Sequence, residues 1–295
     1  MDKILKKIYQ LNENIKASDD GWHDFYYNSI NDFIDNGITL FTRQALISDE
    51  IKDLNFTIQE IIASLYGIEI MPHIIEYENK KDEDSFKKML DIFYLRNLSI
   101  IEAYRQDKNA SNIGSFFCDY IYAALLAYCY YPNRLDDILN ALRFCYKRTF
   151  TNPFCFKYYG YNSVFQLLKF VVGSQYEYIF KEMESVEVLP VYEYAINNIL
   201  SEDVLVVNDV LNQLAKYHNT CPMNSYLDLH NHIEWRYLPL EVFAFFKYRQ
   251  YHHVSNDGLK NKLTNKFFPY FMMTASLPES SLVKKIEDKL FQINS

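Results

Sequence analysis

The chain has 295 residues, of which 49% are hydrophobic and 17% aromatic, and it carries a formal net charge of −8. This apolar content suffices for a packed core and excludes a disordered chain, while 7 glycines and 8 prolines are too few for turn-rich β-architectures or glycine-rich phosphate loops. The acidic balance disfavours direct binding of nucleic acid, because phosphate neutralisation requires a basic surface.

Apolar residues recur at helical spacing along most of the chain. The helices predicted in the first half lie near 2–16, 22–34, 39–47, 57–66, 72–79, 84–105, 116–130 and 134–148. Those predicted in the second half lie near 162–172, 175–186, 190–199, 202–217, 225–234, 239–250 and 279–292. The segment 116–130 is apolar almost all round, so we place it at the centre of the fold.

These patterns predict an all-α protein, a multi-helix bundle of about 11–13 helices in two interlocked halves. We expect an N-terminal helical module at 1–150 and a C-terminal one at 162–295. They are joined by Thr151 to Tyr161, a non-periodic stretch rich in Gly, Pro and aromatic residues. Whether the halves are independent domains or one globular unit stays open. A helical-repeat solenoid also stays open, although no period of 20–50 residues aligns with itself.

No pattern in the sequence predicts an enzyme, a cofactor site or a metal site. Histidines and one cysteine gather within about 35 residues, but HNH spacing makes its two histidines face apart on a helix, and neither HExxH nor CxxC is present. This group comprises Cys221, His230, His232, His252 and His253. Ser163 stands in GYNSV, which lacks the second glycine of a GxSxG nucleophile elbow.

Other sequence features predict a cytoplasmic protein. Five scattered cysteines without a CxxC pair are typical of reduced, buried thiols. The N-terminal residues contain no uninterrupted apolar run and no small-residue cleavage site, so we expect no signal peptide. No stretch approaches 18 uncharged apolar residues, so we expect no contact with the membrane through a spanning helix.

An acidic stretch between Ser174 and Asp209 concentrates most of the net charge, because it contains eight acids and a single base, Lys181. The acids are Glu177, Glu182, Glu184, Glu187, Glu193, Glu202, Asp203 and Asp209. One interpretation is a solvated helical face. The other is a docking surface for a cationic partner protein, since concentrated charge accelerates association and selects partners.

The segment from Trp235 to Tyr270 reads WRYLPLEVFAFFK and, after a polar loop, NKFFPY. Pro239 fits the first turn of a helix, which puts Glu241 at a position where a carboxylate caps backward and favours the helix dipole. Alternatively Glu241 is buried among aromatic residues. A buried carboxylate needs a donor, for which Tyr237 and Arg236 are local candidates, and it would hold two helices in fixed register.

The same segment resembles a known family. YLPLEVFA, which begins at Tyr237, is similar to the Tyr-Trp-Ser-Phe-Glu-Ala-Ala-Ala type motif of the bacterial PoNi-like immunity proteins, with Leu238 in place of Trp and Pro239 in place of a small residue. NKFFPY resembles their Asn/Tyr-Tyr-Pro-Tyr-Asp segment, with Phe271 in place of Asp. The first half, with a break at Tyr66-Gly67, is loosely similar to their N-terminal module. The resemblance identifies as structural motif residues Tyr237, Glu241, Phe268, Pro269 and Tyr270.

The resemblance implies a cytoplasmic helical antidote that binds and neutralises a DNase toxin without catalysis of its own. We therefore expect an immunity protein whose acidic face covers the basic active site of a cognate toxin. The alternative is a helical-repeat scaffold or adaptor without a toxin partner.

Overall fold

The structure is a computed structural model that describes residues 3–106, 117–149, 159–181, 188–220, 232–261, 263, 265–271, 273–275, 277–279 and 281–293. These residues form thirteen α-helices, three short 3₁₀ helices and one two-stranded antiparallel sheet. The prediction of an all-α, multi-helix fold is confirmed, with one small hairpin added to it. Within the described residues, no helix combines the length and the apolar character needed to cross a membrane.

The chain divides into two compact units. Unit 1 comprises Met1–Gly114 together with Ser276–Ser295, and unit 2 comprises Ser115–Ala275. This division differs from the predicted modules 1–150 and 162–295. The physical reason is at the C-terminal end, where Tyr94 donates a hydrogen bond of 2.7 Å to the buried carboxylate of Glu287. Of the predicted joint 151–161, residues 151–158 lie outside the described residues and Tyr159 begins a helix.

Unit 1 contains five helices and the hairpin. The helices are α1 (Lys3–Ala17), α2 (Trp22–Asn36), α3 (Ile58–Lys80), α4 (Glu83–Gln106) and α13 (Leu282–Ile293). The strands are β1 (Leu40–Ile47) and β2 (Glu50–Thr57). Helix α3 passes through Pro72 without ending, so the predicted helices 57–66 and 72–79 are one element and the predicted break at Tyr66-Gly67 is wrong.

The hairpin replaces the helix predicted at 39–47, and that prediction is wrong. Ser48 and Asp49 both have positive φ, 51° and 66°, and they form a two-residue turn that pairs Ile47 with Glu50. Two positive φ angles are what a type I′ hairpin turn requires. Phe41 is buried, whereas Leu40 and Leu46 are 62% and 71% exposed. Apolar residues thus occupy both faces of β1, which hides the alternation typical of a strand.

Unit 2 contains the remaining helices. They are α5 (Phe117–Tyr130), α6 (Leu135–Thr149), α7 (Tyr159–Val172), α8 (Glu177–Phe180), α9 (Pro190–Asn198), α10 (Val204–Thr220), α11 (Ile233–Tyr237) and α12 (Leu240–Tyr251). Every residue of α5 from Cys118 to Tyr130 is buried, and this helix packs against α6, α7 and α12. The prediction that 116–130 forms a central helix is therefore confirmed for the described residues of α5. Most of the helix predicted at 225–234 lies outside the described residues.

Candidate functional site

The acidic stretch is spread over three helices of unit 2. Glu182, Glu184 and Glu187 lie outside the described residues. The five described acids are all exposed: Glu177 on α8, Glu193 on α9, Glu202 and Asp203 between α9 and α10, and Asp209 on α10. Glu177 lines a cleft of about 540 Å³ together with Lys169 and Lys181, so its surroundings are not purely acidic. The remaining four acids belong to the α9–α10 helical hairpin.

Large apolar side chains are exposed at the turn of this hairpin. Leu200 and Val204 are 42% and 41% exposed, and Leu205 is 80% exposed. We call these three residues and the two acids between them the α9–α10 turn: Leu200, Glu202, Asp203, Val204 and Leu205. All five lie within six consecutive positions of the chain, and exposed apolar residues that gather beside polar ones mark protein interaction sites.

The two acids of the turn have different local roles. Asp203 starts α10, since its Oδ1 accepts a hydrogen bond of 2.8 Å from the backbone N–H of Leu205. The Oγ of Ser201 accepts a hydrogen bond of 3.2 Å from the backbone N–H of Asp203. Glu202 forms neither a hydrogen bond nor an ion pair with any described side chain. The charge of Glu202 therefore stabilises no contact within the described part of unit 2.

Arg249 fastens the α9–α10 turn to the end of α12. Its guanidinium is 2% exposed and donates hydrogen bonds to the carbonyls of Ile199 and Ser201 at 2.7 and 2.8 Å. It also donates to the carbonyl of Ser255 at 2.7 Å and to Oδ1 of Asn256 at 2.9 Å. All four acceptors are uncharged oxygens, and burial lowers the pKa of Arg249. Two of these bonds hold the chain where α9 leads into the turn, so the turn is presented in a fixed conformation.

The motif segment is buried. Every residue from Ile233 to Lys247 is buried, which includes Tyr237 and Glu241. Tyr237 forms an edge-to-face contact with Phe267, and Phe243 packs on Phe271 with ring centroids 4.6 Å apart. The two halves of the motif therefore meet in the core of unit 2.

Within NKFFPY the residues differ in exposure. Tyr270 is buried, and its carbonyl accepts a hydrogen bond of 3.2 Å from the hydroxyl of Tyr130 on α5. Phe268 is 37% exposed and Pro269 is exposed. Of the five structural motif residues, Tyr237, Glu241 and Tyr270 are therefore part of the core, whereas Phe268 and Pro269 are exposed.

Glu241 forms a buried pair with His218 of α10. The two side chains are 1% and 0% exposed, and Nδ1 of His218 lies 2.5 Å from Oε1 of Glu241. Nε2 of His218 lies 2.8 Å from the carbonyl of Arg236, so Nε2 carries a proton and donates it. One further proton is held between Nδ1 and Oε1, as in a charge-assisted hydrogen bond.

This pair shows that Glu241 is a buried carboxylate that links two helices, which was the second of the two interpretations. Glu241 lies in the first turn of α12, as predicted, and it is also buried and joins α12 to α10. The sequence suggested Tyr237 and Arg236 as donors and missed His218. The guanidinium of Arg236 donates to the carbonyl of Asn219 at 3.0 Å. No local spacing connects positions 218 and 241. The sequence indicated only that a buried carboxylate at Glu241 would need a donor, and not that His218 supplies it.

A second cluster of ionisable side chains lies where α5 and α11 begin. Cys118 and Asp119 are in the first turn of α5, His232 directly precedes α11, and their possible ligand atoms all lie within 4.8 Å of one another. Nε2 of His232 lies 3.7 Å from Oδ1 of Asp119, and its Nδ1 lies 3.7 Å from Oε1 of Glu234.

This cluster was not found from the sequence, which grouped His232 with its neighbours along the chain. Of those neighbours, Cys221 and His230 lie outside the described residues, and His252 and His253 are exposed beyond α12. The fold instead brings His232 to the start of α5.

Comparisons with models of known protein families, with curated proteins and with solved structures find no match to this chain. The resemblance to the PoNi-like immunity proteins therefore stays a prediction based on the motif residues.

Proposed function

We propose that the protein is an immunity protein that binds and neutralises a cognate bacterial antagonistic toxin, a basic nuclease domain, in the cytoplasm. The observation that carries this proposal is the α9–α10 turn, where exposed apolar side chains lie next to exposed acids along the chain. The resemblance of the buried motif to the PoNi-like family adds support from the sequence.

Charge selects the partner of this surface. No Lys, Arg or His occurs between positions 182 and 215, and Glu193, Glu202, Asp203 and Asp209 are all exposed in this interval. A nuclease must present a basic groove to hold phosphates, so its active site is complementary to such a surface. Attraction between the two surfaces raises the association rate and disfavours neutral or acidic partners.

Apolar contact supplies the binding energy that exposed charges do not. Leu205 is 80% exposed, so its burial in a partner removes nearly the whole side chain from water. Energetically dominant side chains of an interface lie at its centre and are ringed by residues that exclude water. In this proposal Leu205 is the central anchor, and Glu202 is the charge of the turn that meets basic residues of the toxin.

Rigidity reduces the cost of binding. Arg249 holds the carbonyls of Ile199 and Ser201, and Asp203 holds the first turn of α10. A surface that is ordered before association loses less conformational entropy on binding. Inhibition then follows from occlusion, because a bound protein of this size excludes nucleic acid from the groove that it covers.

The test is co-expression with a candidate toxin, namely the product of a neighbouring gene that kills cells when it is expressed alone. We expect the wild-type chain to rescue cells and the Leu205→Ser, Glu202→Lys double variant to lose rescue at equal expression. The matched control is Ile51→Ser with Asp32→Lys, which changes an equally exposed apolar residue and an exposed acid in unit 1. Killing that continues at full wild-type expression, or rescue that survives the double variant at the turn, contradicts the proposal.

A further inference from the structure

The side chains of Cys118, Asp119 and His232 supply three different donor atoms to one small volume in unit 2. Sulfur, carboxylate oxygen and imidazole nitrogen are the three protein donor types that bind zinc. Cys118 and Asp119 are 3% and 2% exposed, so two of the three are withdrawn from water. All of their ligand atoms fall within 4.8 Å of one another.

The distance between Asp119 and His232 suits a bridging ion better than a direct hydrogen bond. Nε2 of His232 lies 3.7 Å from Oδ1 of Asp119, which exceeds the 3.2 Å limit of an N–H···O bond. Two ligands of a tetrahedral zinc ion, bound at about 2.0–2.2 Å each, stand roughly 3.4 Å apart. These two atoms therefore need to approach by only a few tenths of an ångström to share an ion.

Glu234 places a carboxylate beside the other ring nitrogen of His232. This carboxylate is buried, and its Oε1 lies 3.7 Å from Nδ1, so the two atoms need to approach by about half an ångström for Glu234 to accept a hydrogen bond. Histidines that bind metals direct their other ring nitrogen to a carboxylate or carbonyl, which fixes the tautomer and raises the basicity of the ligand. Nε2, which faces Asp119, is then the nitrogen that coordinates the ion.

A stacked aromatic pair holds the two helix starts together. Tyr122, one turn beyond Cys118 on α5, stacks on Trp235 of α11 with ring centroids 4.8 Å apart and an interplanar angle of 12°. Trp235 follows His232 by three residues, so both rings lie about one turn from the donor cluster. The donors are thus positioned by packing that exists without an ion.

We propose that Cys118, Asp119 and His232 form a binding site for a Zn²⁺-class divalent ion, with Glu234 as the positioning residue of His232. Three protein ligands leave a fourth position for water, and the His232 side chain is 29% exposed, which leaves solvent a route to it. The thiol of Cys118 loses its proton when it binds the ion. This site is separate from the α9–α10 turn and does not depend on the proposed function.

The test titrates the full chain, freed of metal, with Zn²⁺ and with Co²⁺ as a spectroscopic substitute. We expect one equivalent of either ion per chain, a thiolate-to-Co²⁺ charge-transfer band, and a higher melting temperature with Zn²⁺. Cys118→Ala abolishes the band, and His232→Gln weakens binding at least tenfold. Glu234→Gln weakens binding by about 10–100-fold, the usual effect of losing a carboxylate that orients a ligand.

The controls are Cys129→Ala, a buried cysteine on the same helix, and His252→Gln, an exposed histidine beyond α12. Both controls should bind one equivalent with unchanged affinity. If Cys118→Ala does not fold, His232→Gln decides, because its side chain is partly exposed. Binding that is absent from the wild-type chain, or that persists unchanged in His232→Gln, overturns the proposal.

Discussion

The α9–α10 turn and the buried segment Ile233–Lys247 both belong to unit 2, and they use charge in opposite ways. In the buried segment, Glu241 is paired with His218, and the ammonium of Lys247 donates to the carbonyl of Met273 at 3.4 Å. At the turn, Glu202 is exposed and has no partner among the described side chains. The charge of Glu241 thus contributes to the fold of unit 2, whereas the charge of Glu202 stays accessible to another molecule, as the proposed docking surface requires.

Glu241 gives the largest expected effect. Glu241→Leu leaves the buried imidazole of His218 without its carboxylate, and breaking one side of a buried pair costs about 3–5 kcal/mol. Urea unfolding followed by circular dichroism measures this cost. A second substitution, His218→Phe, removes the other polar group, so the double variant should lose less stability than the sum of the single variants. Additive losses, or a cost below about 1 kcal/mol for Glu241→Leu, would show that the pair is not coupled.

Arg249 connects the two regions, and its removal should affect both. Arg249→Met leaves the carbonyls of Ile199, Ser201 and Ser255 without their donor, at a cost of about 2–4 kcal/mol. Arg249→Lys retains the charge but not the planar fork, so it should also destabilise. Amide hydrogen exchange should accelerate at residues 199–205 in both variants. Exchange that is unchanged in this interval would mean that the turn is ordered without Arg249.

Substitution of Leu205 should weaken binding of the partner and leave the free energy of unfolding unchanged, in contrast to the two preceding substitutions. Leu205→Ser at an 80% exposed position should change the free energy of unfolding by less than about 0.5 kcal/mol. In the proposed complex it should weaken affinity for the toxin by about 2 kcal/mol, as truncation of a central anchor does. Ile51→Ser, at a 73% exposed position of the hairpin, is the matched control and should bind as the wild-type chain does.

Charge reversal at the turn and at Glu193 on α9 should produce a smaller effect, confined to the association rate. Glu193→Lys with Glu202→Lys should slow association with the toxin while dissociation changes little, and added salt should reduce the difference between variant and wild type. The control is Asp32→Lys with Asp35→Lys, which makes the same change in net charge in unit 1. Stopped-flow mixing measures both rates. Equal slowing by the two pairs would assign the effect to net charge and not to the turn.

Glu102 on α4 extends the comparison to a buried carboxylate in unit 1, and its effect should be the smallest. Burial raises the pKa of Glu102, and its Oε1 accepts a hydrogen bond of 2.8 Å from Gln106. The folded state therefore favours the protonated acid, and the wild-type chain loses stability as the pH rises through the folded pKa. Glu102→Gln avoids this loss, so it should be more stable than the wild type at pH 8.

The same variant supplies its own control at low pH. The stability difference should shrink towards zero below about pH 4, where the carboxyl is protonated in both states. Unfolding curves at several pH values test this. A difference that stays constant with pH would show that the charge of Glu102 is not responsible.

Sequence patterns predicted the elements that depend on local periodicity. Helix α5 was recognised because its residues are apolar on every side, and its central position follows from that. The hairpin was missed because Leu40, Leu46 and Ile51 are apolar on its exposed face, and because its turn uses Ser48-Asp49 instead of an Asn-Gly pair. The two compact units differ from the predicted modules at the C-terminal end, because α13 packs within unit 1 and not beside its sequence neighbours.

Contacts between residues that are distant in sequence could not be predicted from local patterns. The burial of Glu241 was considered from its apolar surroundings, but His218 comes from another helix. Cys118 and Asp119 meet His232 only because α5 and α11 begin side by side. The exposed acids of the α9–α10 turn were recognised by composition alone, whereas the exposure of Leu205 depends on how α10 packs.

The most direct test of the docking surface is amide hydrogen exchange of the full chain, alone and bound to a toxin domain that it neutralises in the co-expression test. We predict slower exchange on binding at residues 199–209, with no change in the hairpin at 40–57 or in the buried segment 233–247. Protection that falls elsewhere while residues 199–209 exchange as in the free protein would contradict the assignment of the α9–α10 turn as the docking surface.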